Sequence, residues 1–245
     1  MKLAHRILRS LGVRVTRNLD SNRFQAMEQA LRILAKNGFS PGTIVDAGAN
    51  VGTWTLMARE IFPSALFEMV EPQSGCAPAL QSIAATDGRI RFHGVAVTRP
   101  GTRQVSMTGG GPSQSATGAW VLEQASPSPG DHICEATTLD DLFAQTAAEP
   151  VLLKLDLEGH EMAALEGAED LLRRTEVVTT ELSLFDVYGS RRPIFSDVLL
   201  FLRDRGFELY DVASLSARPR DGRLRQADGV FVRRESPLSS DRSWD

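Results

Sequence analysis

Cysteine is almost missing from this sequence: Cys76 and Cys134 are the two among 245 residues. Two isolated thiols make neither a disulfide framework nor a zinc site, and they point to a reducing compartment, the cytoplasm. Lysine is nearly as scarce, with Lys2, Lys36 and Lys154 among 27 basic residues. An arginine bias of this kind accompanies GC-rich genomes and fits a bacterial source. Long apolar runs are lacking too. The longest unbroken one, residues 198–202, is far short of the ~20 residues of a membrane span, so no transmembrane helix is expected. Nor is there an excess of one charge: 27 basic against 31 acidic side chains leave −4, which argues against the basic face of a general nucleic-acid binder. What is present is the composition of an ordinary soluble globular chain, 42% hydrophobic and 24% charged, of one large or two small domains.

Two stretches are locally basic. Residues 1–23 carry Lys2, Arg6, Arg9, Arg14, Arg17 and Arg23 against Asp20. They hold neither the apolar core nor the small-residue cleavage site of a signal peptide, so they read as a solvated leader, with contact to acidic lipid as the competing reading. Arg218, Arg220, Arg223 and Arg225 surround Pro219 and Gly222. That segment reads as a solvated loop, with phosphate or anionic-sugar binding as the competing reading.

Phe24, Met27, Leu31 and Leu34 recur at helical spacing, predicting an amphipathic helix over 21–37 that ends near Gly38. Strands are expected at 43–46, 65–71, 90–97, 151–156, 176–182, 207–212 and 229–233. Helices are expected at 53–61, 78–85, 139–147 (capped by Thr138), 161–172 and 196–205. Strands alternating with helices predict an α/β fold, a mostly parallel sheet with helices on both faces. Residues 98–138 read as irregular, softest at 109–112 and 126–130, and too long for a plain connection; such segments are commonly lids or binding loops.

The sharpest motif is Val45-Asp46-Ala47-Gly48-Ala49-Asn50-Val51-Gly52-Thr53, between the first strand and its helix, where a parallel sheet opens its nucleotide crevice. A nicotinamide fingerprint would need glycine at 46, 48 and 51, and two of the three fail: the residues are Asp46, Gly48 and Val51. Gly48 and Gly52 allow a tight turn and close approach to a ligand. A carboxylate opening the loop gains nothing from a diphosphate but suits an ammonium group. The next strand closes on Glu71-Pro72, where a carboxylate can accept both ribose hydroxyls. An adenosine with an amino-acid tail and no phosphate meets both requirements, and S-adenosylmethionine is that molecule.

The chain resembles the FkbM family of S-adenosylmethionine-dependent methyltransferases, within the class I Rossmann-like group. The matching segments are 45–53, Glu71-Pro72, Thr138-Leu139-Asp140-Asp141-Leu142 and the run Leu153-Lys154-Leu155-Asp156-Leu157-Glu158-Gly159-His160-Glu161. Ala164-Leu165-Glu166-Gly167-Ala168, Thr180-Glu181-Leu182 and Leu202-Arg203-Asp204-Arg205-Gly206-Phe207 complete them. The resemblance implies one methyltransferase domain over 43–235, with a seven-stranded sheet whose last strand, 229–233, runs antiparallel. The 98–138 region would shape the acceptor pocket. A basic leader (1–20), an N-terminal helix packed on the core (21–42) and a polar tail (236–245) complete the expected organisation. The implied reaction is methyl transfer to a hydroxyl oxygen of a sugar, glycolipid, polyketide or similar metabolite. By motif position, Asp46, Gly48, Ala49, Asn50, Gly52 and Thr53 line the methionine and ribose side, Glu71 holds the ribose, and Gln73 and Ala96 flank the adenosine.

A hydroxyl acceptor must lose its proton, so a base is expected. Asp156, ending the fourth strand at the crevice, is placed to hold the cofactor's ammonium group, to face the acceptor, or to cap the following helix. His160 opens that helix, whose macrodipole favours the neutral imidazole a base needs, while Glu158 and Glu161 push the other way. Glu181 closes the fifth strand and needs a partner; it could bind acceptor hydroxyls, act as the base, or share a divalent cation with Asp156. No third ligand is identifiable, so no metal is assigned. A nicotinamide oxidoreductase and a catalytically silent cofactor-binding scaffold are the competing readings. A nucleic-acid methyltransferase would need an aromatic-and-basic track that is lacking.

Overall fold

The computed structural model describes residues 22–108, 120–122, 131–143, 145, 147–186 and 192–240. The basic leader, the soft segments at 109–112 and 126–130, and the last five residues of the tail lie outside them. Seven strands form the main sheet: β1 (Thr43–Ala47), β2 (Leu66–Val70), β3 (Ile90–His93), β8 (Val151–Leu155), β9 (Thr175–Ser183), β10 (Phe207–Ala217) and β11 (Leu224–Arg233). Their order is β10-β11-β9-β8-β1-β2-β3. All neighbours pair in parallel except β11, which runs antiparallel to both β9 and β10. This is the expected α/β architecture, with its reversed last strand.

β1 and β8 are buried on both faces, which is why each reads as an almost continuous apolar run. Helix α1 (Arg23–Lys36) starts where the Asn22 side chain accepts the Phe24 amide at 3.0 Å, and it stops before Gly38, whose φ is +93°. It buries Leu31 and Leu34, each stabilising by about 1.5–3 kcal/mol, in one core layer with α2 (Thr53–Ile61) and α3 (Ala77–Ala84). The opposite layer carries α4 (Leu139–Phe143), α5 (Glu161–Glu166), α6 (Glu169–Arg174) and α7 (Phe195–Asp204). Thr138 Oγ1 accepts the Asp141 amide at 2.9 Å, the expected cap of α4.

Three expectations need correction. The strand predicted over 90–97 breaks at Gly94: β3 stays in the main sheet, while β4 (Ala96–Val97) pairs with β7 (Asp131–Thr137) of a second sheet. The 98–138 region is not simply irregular, since β5 (Gln104–Thr108) lies antiparallel between β7 and β6 (Trp120–Leu122). Its Val105 and Met107 alternate into a small core with Ala96 and Val121, a period-two signal that the surrounding Gly, Pro and Ser obscured. The helix predicted over 161–172 is two helices. Gly167 ends the first, its carbonyl accepts the Asp140 amide at 2.9 Å, and a Cβ there would lie 2.2 Å from the Thr98 carbonyl oxygen.

Strand register sets up the site. Lys154 pairs with Asp46 on one side and Thr179 on the other, and Asp228 pairs with Glu181. Asp46, Lys154, Thr179 and Glu181 lie towards the carboxyl ends of parallel strands, and Asp228 stands beside Glu181 on antiparallel β11.

Candidate active site

The carboxyl ends of β1, β8 and β9 open into a cleft with two joined lobes of about 330 and 250 Å³, sharing Arg23, Gly48, Asn50 and Asp156. Glu71, Gln73, Ala96, Glu158 and His160 border the smaller lobe. Ala49, Thr53, Trp54, Lys154, Thr179, Glu181 and Asp228 border the larger. Ten of the twelve residues expected at the site therefore meet on one cleft.

Asp46 and Gly52 do not border it. The expectation that Asp46 meets an ammonium group of the cofactor is overturned: its carboxylate is fully buried, takes the Thr55 hydroxyl at 2.6 Å, and lies 2.8 Å from Lys154 Nζ. The ammonium it was expected to meet belongs to the protein. Gly52 has φ +83° and opens α2, so the backbone conformation favours this glycine. Gly48 borders both lobes, yet its missing side chain makes room for the Asp156 carbonyl oxygen, 1.9 Å from where a Cβ would stand.

Glu71 is 3% exposed and accepts the Asn50 amide at 2.9 Å and the Gln73 amide at 3.1 Å, one on each oxygen. Burial lifts its pKa, and those amides oppose the rise. The Gln73 side chain also bonds this carboxylate. Asn50 holds φ +51°, and the Gly48 and Ala49 amides both donate to the Val70 carbonyl, at 2.9 and 3.1 Å, which ties the loop to β2.

His160 Nε2 lies 3.0 Å from Thr98 Oγ1. Burial, then the charges of Arg192 and Arg99, push the imidazole down to about 4, so it is neutral. The neutral form expected from the helix start is thus reached by another cause, and Glu158 and Glu161 do not reverse it. Glu161 Oε1 accepts the Leu157 and Gly159 amides at 2.8 and 3.2 Å, bracing a turn in which Glu158 has φ +51°. Burial pushes its carboxyl up to about 7.

Glu181 has the partner it needed. Arg23 Nη2 lies 2.6 Å from Glu181 Oε2 and 2.6 Å from Asp228 Oδ1, Arg23 Nε donates to Asp228 Oδ2 at 3.0 Å, and Gln226 Nε2 donates to Glu181. Burial, then the charge of Asp156, push Glu181 up to about 8, with Arg23 opposing. Among the described residues no group of three His, Cys, Asp or Glu side chains could hold a metal ion.

Arg23, Lys154 and Asp228 were not singled out from sequence. Lys154 had a usable signal: a lone ammonium inside an apolar strand must be paired. Asp228 offered a fainter version of it. Arg23 offered none, because nothing local says that the first turn of α1 reaches the ends of β9 and β11.

A sheet with these strand ends, a glycine turn after its first strand and an acid closing the second is the class I Rossmann-like methyltransferase architecture. Residues 46–209 match the family described as the methyltransferase FkbM domain, and the chain belongs to that family. It is a methyltransferase, and its cofactor is S-adenosylmethionine. No curated protein matches the chain. Among solved structures, a protein described as a putative rRNA-methylase from Clostridium thermocellum is similar in fold at TM-score 0.50 and 9% identity, covering 85% of this chain and 95% of the other. Precorrin-6y C5,15-methyltransferase from Geobacter metallireducens matches at 0.45 and 12%, covering 90% and 93%. The 1,6-didemethyltoxoflavin-N1-methyltransferase of Burkholderia thailandensis, bound to S-adenosylhomocysteine, matches at 0.48 and 14%, covering 87% and 79%.

Proposed function

We propose that the protein transfers a methyl group from S-adenosylmethionine to a hydroxyl oxygen of a sugar, glycolipid or secondary metabolite. The observation that carries this reading is the convergence of Asp156, Glu181 and Asp228 on the larger lobe, beside the aromatic wall of Trp54. Carboxylates that accept from hydroxyls, set against an apolar ring, suit a polyol. They suit a nucleic-acid phosphate backbone poorly, in keeping with the mildly acidic chain.

The adenosine would occupy the smaller lobe, with Glu71 accepting from the ribose hydroxyls and Gln73 and Ala96 at its flanks. The tail would follow Gly48, Ala49, Asn50 and Thr53 towards Asp156. When bound, S-adenosylmethionine supplies an electrophilic methyl group on a sulfonium. The chain's share is alignment, where proximity can contribute about 7–11 kcal/mol, and removal of the acceptor proton, where a base contributes about 10²–10⁴-fold.

Glu181 is the better base. Its carboxyl titrates near the working pH, whereas an imidazole held at about 4 and bonded to Thr98 is a feeble proton acceptor. His160 would then orient the turn from Asp156 to Glu161. Asp156, common to both lobes, would meet the cofactor's ammonium group, the task first expected of Asp46.

No helix among the described residues is long and apolar enough to cross a membrane. Residence in the cytoplasm belongs to the same reading, supported by the free thiols of Cys76 and Cys134. Calorimetric titration with S-adenosylmethionine, S-adenosylhomocysteine and NADH, followed by a screen of hydroxylated acceptors, tests the whole. Micromolar binding of the first two, none of NADH, and methylated hydroxyls in the product are expected. Products methylated only on nitrogen or carbon would overturn the acceptor class.

A further inference from the structure

We infer that the arginines at the tip of the β10–β11 hairpin form an oxyanion site, and that its occupant is a phosphoryl group carried by the acceptor. The inference deepens the proposed function and rests on the acceptor placement given there. Between Ser216 and Gln226 the hairpin carries Arg218, Arg220, Arg223 and Arg225 against Asp221. Asp221 is already engaged. It accepts from Arg218 Nε and Nη2 at 3.1 and 2.6 Å and from the Arg223 amide at 3.1 Å, and it lies 3.6 Å from Arg220 Nε. The guanidinium groups of Arg223 and Arg225 meet no carboxylate among the described residues.

Two observations separate this group from a solvated loop. Phe185, half-buried just past β9, stacks on two of the guanidinium groups, with Arg223 Cζ 4.3 Å and Arg218 Cζ 5.1 Å from its ring centroid. Stacking holds both planar forks before a ligand arrives, so less freedom is lost on binding. Arg225 is half-buried, and its Nε has no hydrogen-bond partner among the described residues, so the fold's own acceptors do not hold it. An unmade bond on a buried donor is unfavourable. Strand pairing skips Arg225, since Gln226 faces Ser216 and Leu224 faces Ala217, and such bulges are common beside active sites.

Phe185 follows Glu181 by four residues, Arg225 precedes Asp228 by three, and Glu181 and Asp228 are register partners. At about 3.3 Å per residue, the arginines stand about 10–13 Å past these two carboxylates, beyond the carboxyl end of β9. Asp156, Glu181 and Asp228 make the larger lobe itself a poor place for an anion. A glycosyl phosphate with its reacting hydroxyl in the lobe and its phosphoryl group on the hairpin puts each charge on its complement. A phosphoryl group suits the hairpin better than a carboxylate, because its second charge and third oxygen let it engage two forks at once.

Calorimetry on the S-adenosylhomocysteine-bound protein at low salt tests the site with pyrophosphate and with malonate, a small dicarboxylate. Pyrophosphate should bind the wild type, and Arg223→Gln and Arg225→Gln should each weaken it at least about tenfold, with S-adenosylhomocysteine affinity within about twofold. Neither substitution breaks an ion pair, so both variants should keep the wild-type Tm. No pyrophosphate binding by the wild type, or undiminished binding by both variants, would overturn the site. Malonate held as tightly as pyrophosphate would overturn the phosphoryl assignment. A mixed-sequence RNA oligonucleotide held more tightly than pyrophosphate, and lost in the same variants, would give the site to a nucleic acid and overturn the assigned occupant. In the acceptor screen, phosphorylated members should have KM at least about tenfold below their unphosphorylated counterparts, an advantage that the double variant should erase. Equal KM values in the wild type would overturn the link to the acceptor. Products methylated only on nitrogen or carbon, with pyrophosphate binding still lost in the variants, would overturn the hydroxyl reading and leave the site standing.

Discussion

Replacing Glu181 by glutamine keeps the shape of the side chain and removes the group that titrates. With burial and Asp156 pushing its carboxyl up to about 8, Glu181 is mostly protonated at pH 7. If Glu181 takes the acceptor proton, kcat/KM rises about tenfold per pH unit up to the neighbourhood of 8 and then levels off. Glu181→Gln should lose about 10²–10⁴-fold and flatten that rise. Arg23 gives the argument a second handle. Its guanidinium, 2.6 Å from Glu181, opposes the upward push of burial and of Asp156, so Arg23→Gln should move the inflection to higher pH and leave the plateau less affected. Initial rates from about pH 6 to 9 at saturating cofactor are the assay, with S-adenosylhomocysteine affinity measured alongside to show that the cofactor lobe is intact. An inflection that persists near 8 in Glu181→Gln would refute the assignment, because the titrating group would then lie elsewhere. An inflection that Arg23→Gln leaves in place would refute the electrostatic account of its position.

His160 carries a stability prediction. Its folded pKa is depressed from 6.5 to about 4, so below pH 6.5 the unfolded chain takes up a proton that the folded chain refuses, and stability falls as pH drops to about 4, by up to about 3 kcal/mol. Urea denaturation of wild type and His160→Asn over that window should show the variant losing less; parallel curves would sink the linkage. Gly48→Ala drives a Cβ against the Asp156 carbonyl at a residue with φ +80°, and should cost more than about 2 kcal/mol, read as a fall in Tm. An unchanged Tm would mean that the turn has room to spare. Glu71→Gln should weaken S-adenosylhomocysteine about tenfold in calorimetry, since its carboxylate is the proposed ribose acceptor; unchanged affinity would remove it from that role.

The strand and helix order was legible because β1, β8 and β9 are dry on both faces and α1 and α2 keep an apolar stripe, so periodicity alone separates the two kinds of element. Ends were less legible where a tertiary contact decides them. The glycine at 167, where the helix ends, is required by the Thr98 carbonyl packed against it, and a carbonyl contributed from 69 residues earlier leaves no local trace. The cleft was legible for the same reason as the fold: residues closing parallel strands arrive together, so Glu71, Asp156 and Glu181 could be placed from strand ends. Asp46 failed that logic. Its side chain points into the sheet face that α1 and α2 cover, where Lys154 waits one strand away, and the glycine motif carries no hint of a neighbour 108 residues later.

That misplacement also changes what the N-terminal helix is for. The expectation was a helix packed on the core, a structural prefix to the catalytic domain. Its first residue, Arg23, instead bonds carboxylates 158 and 205 positions away and borders both lobes. Glu181 and Asp228 stand directly opposite each other in the antiparallel pairing of β9 and β11, both nearly buried. Once Glu181 ionises, two carboxylates so placed repel, and the guanidinium between them lowers the cost of that ionisation. The charge state of the larger lobe, the proposed acceptor lobe, therefore depends on the docking of α1 as well as on the strands. Phe24 and Met27, which border the larger lobe one turn further on, tie that docking to the shape of the lobe as well. By this argument α1 is a wall of the proposed active site, and a domain drawn from the first strand onward would lack the cation that pairs Glu181 and Asp228.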